Sequence, residues 1–329
     1  MSIEPTDPRL DWRGLAEWER VPEGWRPWRL PSGVMRALDV DDLAARARDP
    51  AGVRLEVVTD ADAIRIEVVA PEDSAPFDVC VDGVLDARLS VTGRCALEVG
   101  LDGRRHLVEI WLPQFGNVVI GEVEFVGART IGRRDAAPRR WSTYGSSITQ
   151  CRSAAGPTET WPAIVARTAG WDLGCFGFNA QSHLDPPVAG AIRDRGTDLI
   201  SLCLGINVYG ASSFSRRSFV PAIAGFVDTI RSGHPVTPVL LISPISSPER
   251  ELVANAVGLT LQEVRLEIER AARFFAAIGD GNVHYLDGRE IIGETEATLL
   301  ADGLHPSPEG YRVMAERLRP RLEQLMPRM

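Results

Sequence analysis

Lysine is absent from this 329-residue sequence, and all 36 basic residues are arginine. The absence excludes every chemistry that needs a side-chain amine, including Schiff bases, Ser–Lys dyads and phosphate-binding loops that end in Gly-Lys. A serine nucleophile in this chain would therefore need a base other than lysine.

Long apolar runs, paired cysteines and an excess of basic charge are also missing. No run approaches the roughly 18–20 apolar residues that a membrane-spanning helix needs. The five cysteines are widely spaced without a Cys-x-x-Cys pair, which argues against a disulfide framework and a zinc site. A net charge of −9 argues against nucleic acid or an anionic membrane as partner. No secretory signal is visible at the N-terminus, so we predict a cytoplasmic protein.

Cofactor motifs are lacking as well. No Gly-x-Gly-x-x-Gly follows a predicted strand, and the five histidines do not have the spacing of metal ligands. We therefore expect no cofactor and no metal. The partner that remains is a small-molecule substrate, and the sequence leaves the oligomeric state open.

Short alternating apolar runs dominate the chain from about residue 53 to 128. Period-two alternation with closely spaced turns predicts an antiparallel β-sandwich or jelly roll. Asp82-Gly83 is a hairpin signal between two strands. The runs lie at residues 53–57, 64–68, 77–81, 97–99, 106–112 and 118–125.

The first 50 residues hold four of the eight tryptophans, Trp12, Trp18, Trp25 and Trp28. One interpretation is a strap whose aromatic rings pack onto the sandwich or between domains. The other is an aromatic surface that binds sugar or forms one wall of a substrate pocket.

After an arginine-rich stretch at residues 132–140, strands and helices alternate. Alternating elements of this kind predict βαβ units in a doubly wound, mainly parallel α/β domain. We therefore divide the chain into an N-terminal β domain, residues 1–138, and an α/β domain, residues 139–329. The predicted strands are 142–144, 199–204, 239–245 and 283–286, and the predicted helices are 161–168, 219–231, 261–277 and 308–325.

Gly145-Ser146-Ser147 stands at the end of the first predicted strand of the α/β domain. A glycine before small hydroxyl residues at a strand-to-helix turn can expose a nucleophile at the carboxyl edge of a sheet. A plain turn is the alternative interpretation of the same residues.

Asp302-Gly303-Leu304-His305-Pro306 lies just before the last predicted helix. A serine needs an imidazole to accept its proton, and a third group must hold that imidazole in one tautomer. Alternatively, Asp302 begins a turn and His305 is a solvated loop residue.

Gly205-Ile206-Asn207 ends a buried strand. An asparagine amide at this position is a neutral donor that suits a forming oxyanion. A side chain that caps the next helix or turn is the alternative.

Together these motifs resemble the SGNH (GDSL-type) hydrolases, in which such blocks occur in the same order at strand ends. The resemblance covers residues 140–325 and implies a flavodoxin-like α/β fold. The upstream sandwich resembles the N-terminal β domain of some members. The motifs are Gly145-Ser146-Ser147-Ile148, the block from Gly174 to Pro186, Gly205-Ile206-Asn207 and Asp302-Gly303-Leu304-His305-Pro306.

The resemblance implies a role for each matching residue. Ser147 would be the nucleophile, His305 the general base and Asp302 the carboxylate that orients it. The Ser147 N–H, the Asn207 side-chain amide and one N–H of the second block, at Ala180, would form the oxyanion hole.

This sequence departs from the family pattern at two positions. Ser146 replaces the Asp that usually precedes the nucleophile. Ala180 replaces a glycine of the second block, and Gly177 is a rival placement for that glycine. Alanine offers the same N–H as glycine, but it is disfavoured where the backbone needs a positive φ.

The Gly-x-Ser-x-Gly elbow of α/β-hydrolases is absent because Thr149 occupies the place of its second glycine.

Three residues near the motifs each have two interpretations. His183 faces the pocket or is structural. Phe178 and Tyr209 are acyl-pocket walls or core residues.

We predict a serine esterase or deacylase that forms an acyl-enzyme on Ser147. The alternative is an acyltransferase that uses the same triad and passes the acyl group to an alcohol. A third hypothesis is a catalytically dead carbohydrate-binding protein. Without lysine, His305 is the base placed to activate Ser147.

Overall fold

The computed structural model describes residues 1–134 and 138–327. The chain forms two compact units, one of Met1–Pro138 with Ala155–Ala163 and a second of Arg139–Ala154 with Ile164–Met329. The arginine-rich stretch at the predicted boundary lies partly outside the described residues, at 135–137.

The first unit contains two antiparallel sheets. Apolar side chains of both sheets form one buried core, to which Leu55 and Val57 contribute from one sheet and Ile64 and Ile66 from the other. The predicted antiparallel sandwich is confirmed. Its strands are β1 (Ser2–Ile3), β2 (Asp11–Arg13), β3 (Glu17–Val21), β4 (Gly24–Trp28), β5 (Arg54–Thr59), β6 (Ala63–Ala70), β7 (Phe77–Val81), β8 (Val84–Leu89), β9 (Gly93–Gly100), β10 (His106–Trp111), β11 (Val119–Val126) and β12 (Ile131–Gly132).

The strand order is β3-β4-β11-β6-β9 in one sheet, with β1 on β11, and β12-β5-β10-β7-β8 in the other, with β2 on β5. Asp82 and Gly83 join β7 to β8 with φ values of 49° and 81°, as a two-residue hairpin turn requires. Strand β8 was not predicted, because its Val84 and Leu85 are exposed and it lacks the alternation of a half-buried strand.

The N-terminal tryptophans lie in strands that extend both sheets. Trp12 of β2 and Trp18 of β3 meet edge to face at 5.1 Å and pack against the sandwich core. Trp28 is buried, and its indole N–H donates to Glu19 at 2.9 Å. The structure thus gives these three rings a packing role. Two short helices, α1 (Ser32–Leu38) and α2 (Asp41–Ala47), follow and were not predicted.

The second unit contains a five-stranded parallel sheet. Its order is β14-β13-β15-β16-β17, which in chain order is the 2-1-3-4-5 arrangement of flavodoxin-like folds. The predicted doubly wound α/β fold is confirmed. The strands are β13 (Arg140–Gly145), β14 (Asp172–Gly177), β15 (Leu199–Cys203), β16 (Val239–Ile242) and β17 (Val283–Leu286).

The helices after residue 140 are α3 (Ser147–Gln150), α4 (Trp161–Ala169), α5 (Pro186–Asp194), α6 (Ile206–Ala211), α7 (Arg216–Arg231), α8 (Leu261–Ala277) and α9 (Pro308–Leu325). Among the described helices, none combines the length and the apolar character that a membrane span requires. The strand order reverses at β13, which lies between β14 and β15. Such a reversal opens a crevice at the carboxyl ends of the strands.

Candidate active site

Ser147 begins α3 directly after the carboxyl end of β13. Gly145 is required there, because a Cβ on it would lie 2.2 Å from Thr149 Oγ1 and 3.0 Å from Cys203 Cβ. Ser146 is the N-cap of α3, and its Oγ accepts the Ile148 N–H at 3.2 Å. The neutral hydroxyl thereby performs the capping task that an aspartate performs at other helix starts.

Ser147, His305 and Asp302 form one chain of hydrogen bonds. Ser147 Oγ lies 2.8 Å from His305 Nε2, and His305 Nδ1 lies 2.7 Å from Asp302 Oδ2. An ionised carboxylate only accepts hydrogen bonds, so Nδ1 carries the ring proton and Nε2 accepts from the serine hydroxyl. This is the tautomer that a general base for Ser147 needs.

The loop before α9 keeps Asp302 ionised. Burial raises the pKa of Asp302, but hydrogen bonds from the His305 N–H, the His305 ring and the Leu304 N–H outweigh it and lower the pKa from 3.8 to about 2. Ser247 Oγ donates to the Gly303 carbonyl at 2.8 Å. The Asp302 carboxylate is therefore charged at neutral pH, and Ser247, which lies outside the loop, holds the loop in place.

Asn207 lies in the first turn of α6. The preceding Gly205 has a φ of 100°, and a Cβ on it would lie 2.6 Å from Val264 Cγ1. The Ser182 N–H donates to Asn207 Oδ1 at 3.1 Å, which fixes the orientation of the amide. No atom within residues 1–134 and 138–327 accepts a hydrogen bond from Asn207 Nδ2. The NH₂ group of Asn207 is thus available to donate a hydrogen bond.

The second block places Ala180 in a tight turn after β14. The turn is closed by the Gln181 N–H, which donates to the Phe178 carbonyl at 3.0 Å. Ala180 has a φ of 59°, a conformation that costs alanine on the order of 1–2 kcal/mol. Alanine therefore occupies the left-handed conformation here in spite of its Cβ.

Gly177 is a glycine for a different reason. It ends β14 without a positive φ, and a Cβ on it would lie 2.5 Å from the backbone nitrogen of Gln150. Over the described part of the chain, nothing accepts a hydrogen bond from the N–H of Ala180 or of Ser147. The geometry favours Ala180 over Gly177 as the third donor, and that role stays a prediction.

The remaining candidates of the sequence differ in their surroundings. His183 Nε2 lies 2.9 Å from the Ala180 carbonyl, and its Nδ1 lies 2.7 Å from Ser213 Oγ. Phe178 is fully buried, as a core residue is. The Tyr209 hydroxyl donates to the Val253 carbonyl at 2.9 Å.

Several supporting groups were missed by the sequence reasoning. The Tyr144 hydroxyl accepts the Leu184 N–H at 2.9 Å, and Gln150 Oε1 accepts the Asn179 N–H at 2.8 Å. Both groups hold the second block against β13 and α3. Their partners are backbone atoms far along the chain, so no residue pattern marked them.

Comparison with protein families matches both parts of the chain. Residues 143–313 match the model of the GDSL-like lipase/acylhydrolase family, and residues 10–121 match the N-terminal domain model of SsfX3. A search of the curated proteins found no match.

Solved structures match most or nearly all of the chain. The salicylyl-acyltransferase SsfX3 from a tetracycline biosynthetic pathway is 32% identical, with a TM-score of 0.91 over 99% of this chain and 97% of that chain. A family two carbohydrate esterase from Cellvibrio japonicus is 15% identical, with a TM-score of 0.67 over 99% and 98%. The corresponding esterase from Clostridium thermocellum is 17% identical, with a TM-score of 0.64 over 84% and 95%. The two esterases show similarity of fold.

Proposed function

The chain belongs to the GDSL-like lipase/acylhydrolase family, and from that premise we propose that it acts on esters through an acyl-enzyme on Ser147. The observation that supports this most directly is the continuous chain of hydrogen bonds from Ser147 Oγ through the His305 ring to Asp302. The Asn207 amide and the N–H groups of Ser147 and Ala180 add the donors for an oxyanion.

The reaction follows from these positions. Ser147 Oγ bonds to the ester carbonyl carbon while its proton passes to His305 Nε2, and the carbonyl oxygen becomes an oxyanion. As the oxyanion collapses, the bond to the leaving alcohol breaks and His305 returns the proton to the alcohol oxygen. Water then attacks the acyl-enzyme with His305 again as base, and Ser147 is released with the acid. Asp302 stabilises the imidazolium at each step without taking a proton.

Labelling by a fluorophosphonate tests nucleophile and activation together. We expect one label on Ser147, located by peptide mass spectrometry, and no label after Ser147→Ala. Ser146→Ala is the matched control, because the Ser146 hydroxyl contacts the Ile148 N–H and no imidazole. A Ser147→Ala variant with unchanged ester turnover would overturn the assignment, and failure to label would favour the carbohydrate-binding alternative.

Acyl transfer to an alcohol is the second candidate. It is favoured by the 32% identity to a salicylyl-acyltransferase over nearly the full length of both chains. The triad serves both reactions, so the acceptor decides between them. The products of p-nitrophenyl acetate and p-nitrophenyl benzoate should be measured with and without alcohols. Transfer that outpaces hydrolysis would reject the esterase proposal.

The substrate that we propose is a small-molecule or carbohydrate ester, in keeping with the neighbours named above. Nucleic acid is not a proposed partner for a chain of net charge −9. A cytoplasmic location is also a proposal, supported by the thiol state of all five cysteines, which suits a reducing compartment. Cell fractionation with an antibody to the chain tests it.

A further inference from the structure

We propose that His183 is a positioning residue for the oxyanion hole, which it serves by clamping the Ala180 turn to Ser213. The inference rests on the proposed function, because it assigns a role to the Ala180 N–H. It concerns a residue whose ring, among the described residues, makes no hydrogen bond to Ser147, His305 or Asp302.

The direction of the Ala180 N–H depends on the turn that contains it. Ala180 is the third residue of the turn at residues 178–181 and has a positive φ, whereas Asn179 before it does not. That combination is a type II turn. In a type I turn the peptide between the second and third residues is turned over, so the Ala180 N–H would point to the opposite side. The donor therefore exists only while Ala180 stays left-handed.

Alanine does not hold this conformation by itself. A strained backbone persists only where surrounding contacts over-determine it. Glycine would need no such support, because it adopts a positive φ freely. The substitution that distinguishes this chain from the family pattern thus creates a need for an external support at Ala180.

The His183 ring provides that support. A carbonyl only accepts hydrogen bonds, so Nε2 donates to the Ala180 oxygen at 2.9 Å. In the neutral ring Nδ1 then accepts from Ser213 Oγ at 2.7 Å. The imidazole is bonded at both nitrogens and bridges two loops that lie far apart in sequence.

Ser213 connects the bridge to the helix that carries Asn207. Its N–H donates to the Val208 carbonyl of α6 at 3.2 Å. The Ser182 N–H beside His183 donates to Asn207 Oδ1. The clamp therefore holds the Ala180 turn against α6 at two points, and it sets two oxyanion donors relative to each other.

Steady-state kinetics of His183→Ala with p-nitrophenyl acetate test the proposal. We expect kcat to fall about 10- to 100-fold, less than or similar to the loss of a whole oxyanion donor, while KM changes by less than about 3-fold. Acylation and deacylation both pass through an oxyanion, so kcat reports the defect whichever step limits it. Ser213→Ala should lower kcat in the same direction by a smaller factor.

Rescue by glycine distinguishes positioning from general structural support. In the Ala180→Gly background, His183→Ala should lower kcat by less than about 3-fold, because glycine retains the left-handed turn without the clamp. His106→Ala is the matched control, since that ring is also bonded at both nitrogens but lies in the first unit. Its kinetics should equal those of the wild type.

Two results would overturn the inference: an unchanged kcat in His183→Ala, or the same fold loss with alanine and with glycine at residue 180. If His183→Ala does not fold, as judged by thermal melting, Ser213→Ala in both backgrounds decides by the same comparison. Ser147 labelling is measured in parallel. If Ser147 of the wild type is not labelled, the proposed function is rejected. If Ser147 is labelled but His183→Ala has an unchanged kcat, only the role of His183 is rejected.

Discussion

Single side chains in the candidate site are held in one orientation by a neighbour. The Asn207 amide is held through its oxygen by the Ser182 N–H, which leaves its NH₂ group for another acceptor. The His305 ring is held by Asp302, whose lowered pKa keeps it a pure acceptor. In the proposed oxyanion hole, donors oriented in advance toward the developing charge would make the usual largest single contribution to catalysis.

Replacement of Asn207 tests the side-chain donor. Asn207→Ala should lower kcat about 10²- to 10³-fold with little change in KM, because the lost bond forms in the transition state. Asn117→Ala, at an exposed position of the first unit, is the control and should leave both constants unchanged. A kcat within 3-fold of the wild type, in steady-state ester hydrolysis, would reject the proposed role of Asn207 as an oxyanion donor.

A second residue-scale prediction concerns His106 on the sandwich. Hydrogen bonds to Asp82 and Asp102 raise the pKa of His106 above its ordinary value of 6.5. The hydrogen bond from His106 in turn lowers the pKa of Asp82 below 3.8. The contribution of His106 to the free energy of unfolding is then fully present below about pH 6.5, and it is lost as the pH rises through the raised pKa.

NMR titration of the His106 ring measures this shift. We expect a midpoint above 6.5 in the wild type and a lower one in Asp82→Asn. Asp86→Asn removes the same charge from an exposed position of β8 and should leave the midpoint in place. A wild-type midpoint at or below 6.5 would contradict the predicted rise in the pKa of His106.

At the scale of elements, the position of Ser147, the proposed nucleophile, depends on how closely α3 approaches β14. Gly177 allows the approach, because a Cβ there would lie 2.5 Å from Gln150 N and 2.7 Å from the Thr149 carbonyl carbon. Both atoms belong to the backbone of the helix that Ser147 begins. The helix therefore moves if Gly177 gains a side chain.

Gly177→Ala should destabilise the fold by about 1–3 kcal/mol through overpacking and should also lower kcat, because Ser147 moves with α3. Gly225→Ala in α7 is the matched control: a Cβ there meets nothing within 4 Å, and the change should stabilise the helix by about 0.5–1 kcal/mol. Urea denaturation and ester kinetics measure the two effects. Equal behaviour of the two variants would rule out the close approach as a constraint.

The elements that were predicted well have strong local patterns. The predicted range of α8 coincides with the structure, because its apolar residues recur at helical spacing and Thr260 with Glu263 forms a capping box at its start. Strand β14 escaped prediction, since Asp172–Gly177 contains two glycines and no β-branched residue. Its strand conformation comes from pairing with β13, a tertiary contact.

At the scale of the whole molecule, the division of the chain is not a single cut. Ala155–Ala163 belongs to the first unit, although it follows the start of the second. Asp78, fully buried in β7, accepts the N–H and hydroxyl of Thr158 at 3.0 and 2.6 Å. It also accepts from Arg88 Nε at 2.7 Å. The predicted domain boundary between residues 138 and 139 stays a prediction, and a fragment that begins at residue 139 would test it.

Asp78→Ala should reduce the free energy of unfolding by about 2–3 kcal/mol, because Thr158 and Arg88 keep donors without their acceptor. Asp86→Ala, at an exposed position of β8, is the control and should change it by less than about 0.5 kcal/mol. A fragment of residues 139–329 should be destabilised for the same reason. Chemical denaturation measures all three, and a fragment as stable as the intact chain would contradict the prediction.

Local sequence alone specifies the two classes of secondary structure, the order of the motifs and the residues that could meet as a triad. The classes of secondary structure follow from local periodicity, and the meeting of the strand-end motifs follows from the rule that parallel strands present their carboxyl ends at one edge. The assignment of Ser147, His305 and Asp302 as a triad follows from the resemblance to the SGNH hydrolases. Tertiary contacts set the left-handed conformation of Ala180, its bridge through His183 to Ser213 and the membership of Ala155–Ala163 in the first unit. Each of these depends on residues distant in sequence, and a periodic pattern contains no information about which distant residues meet.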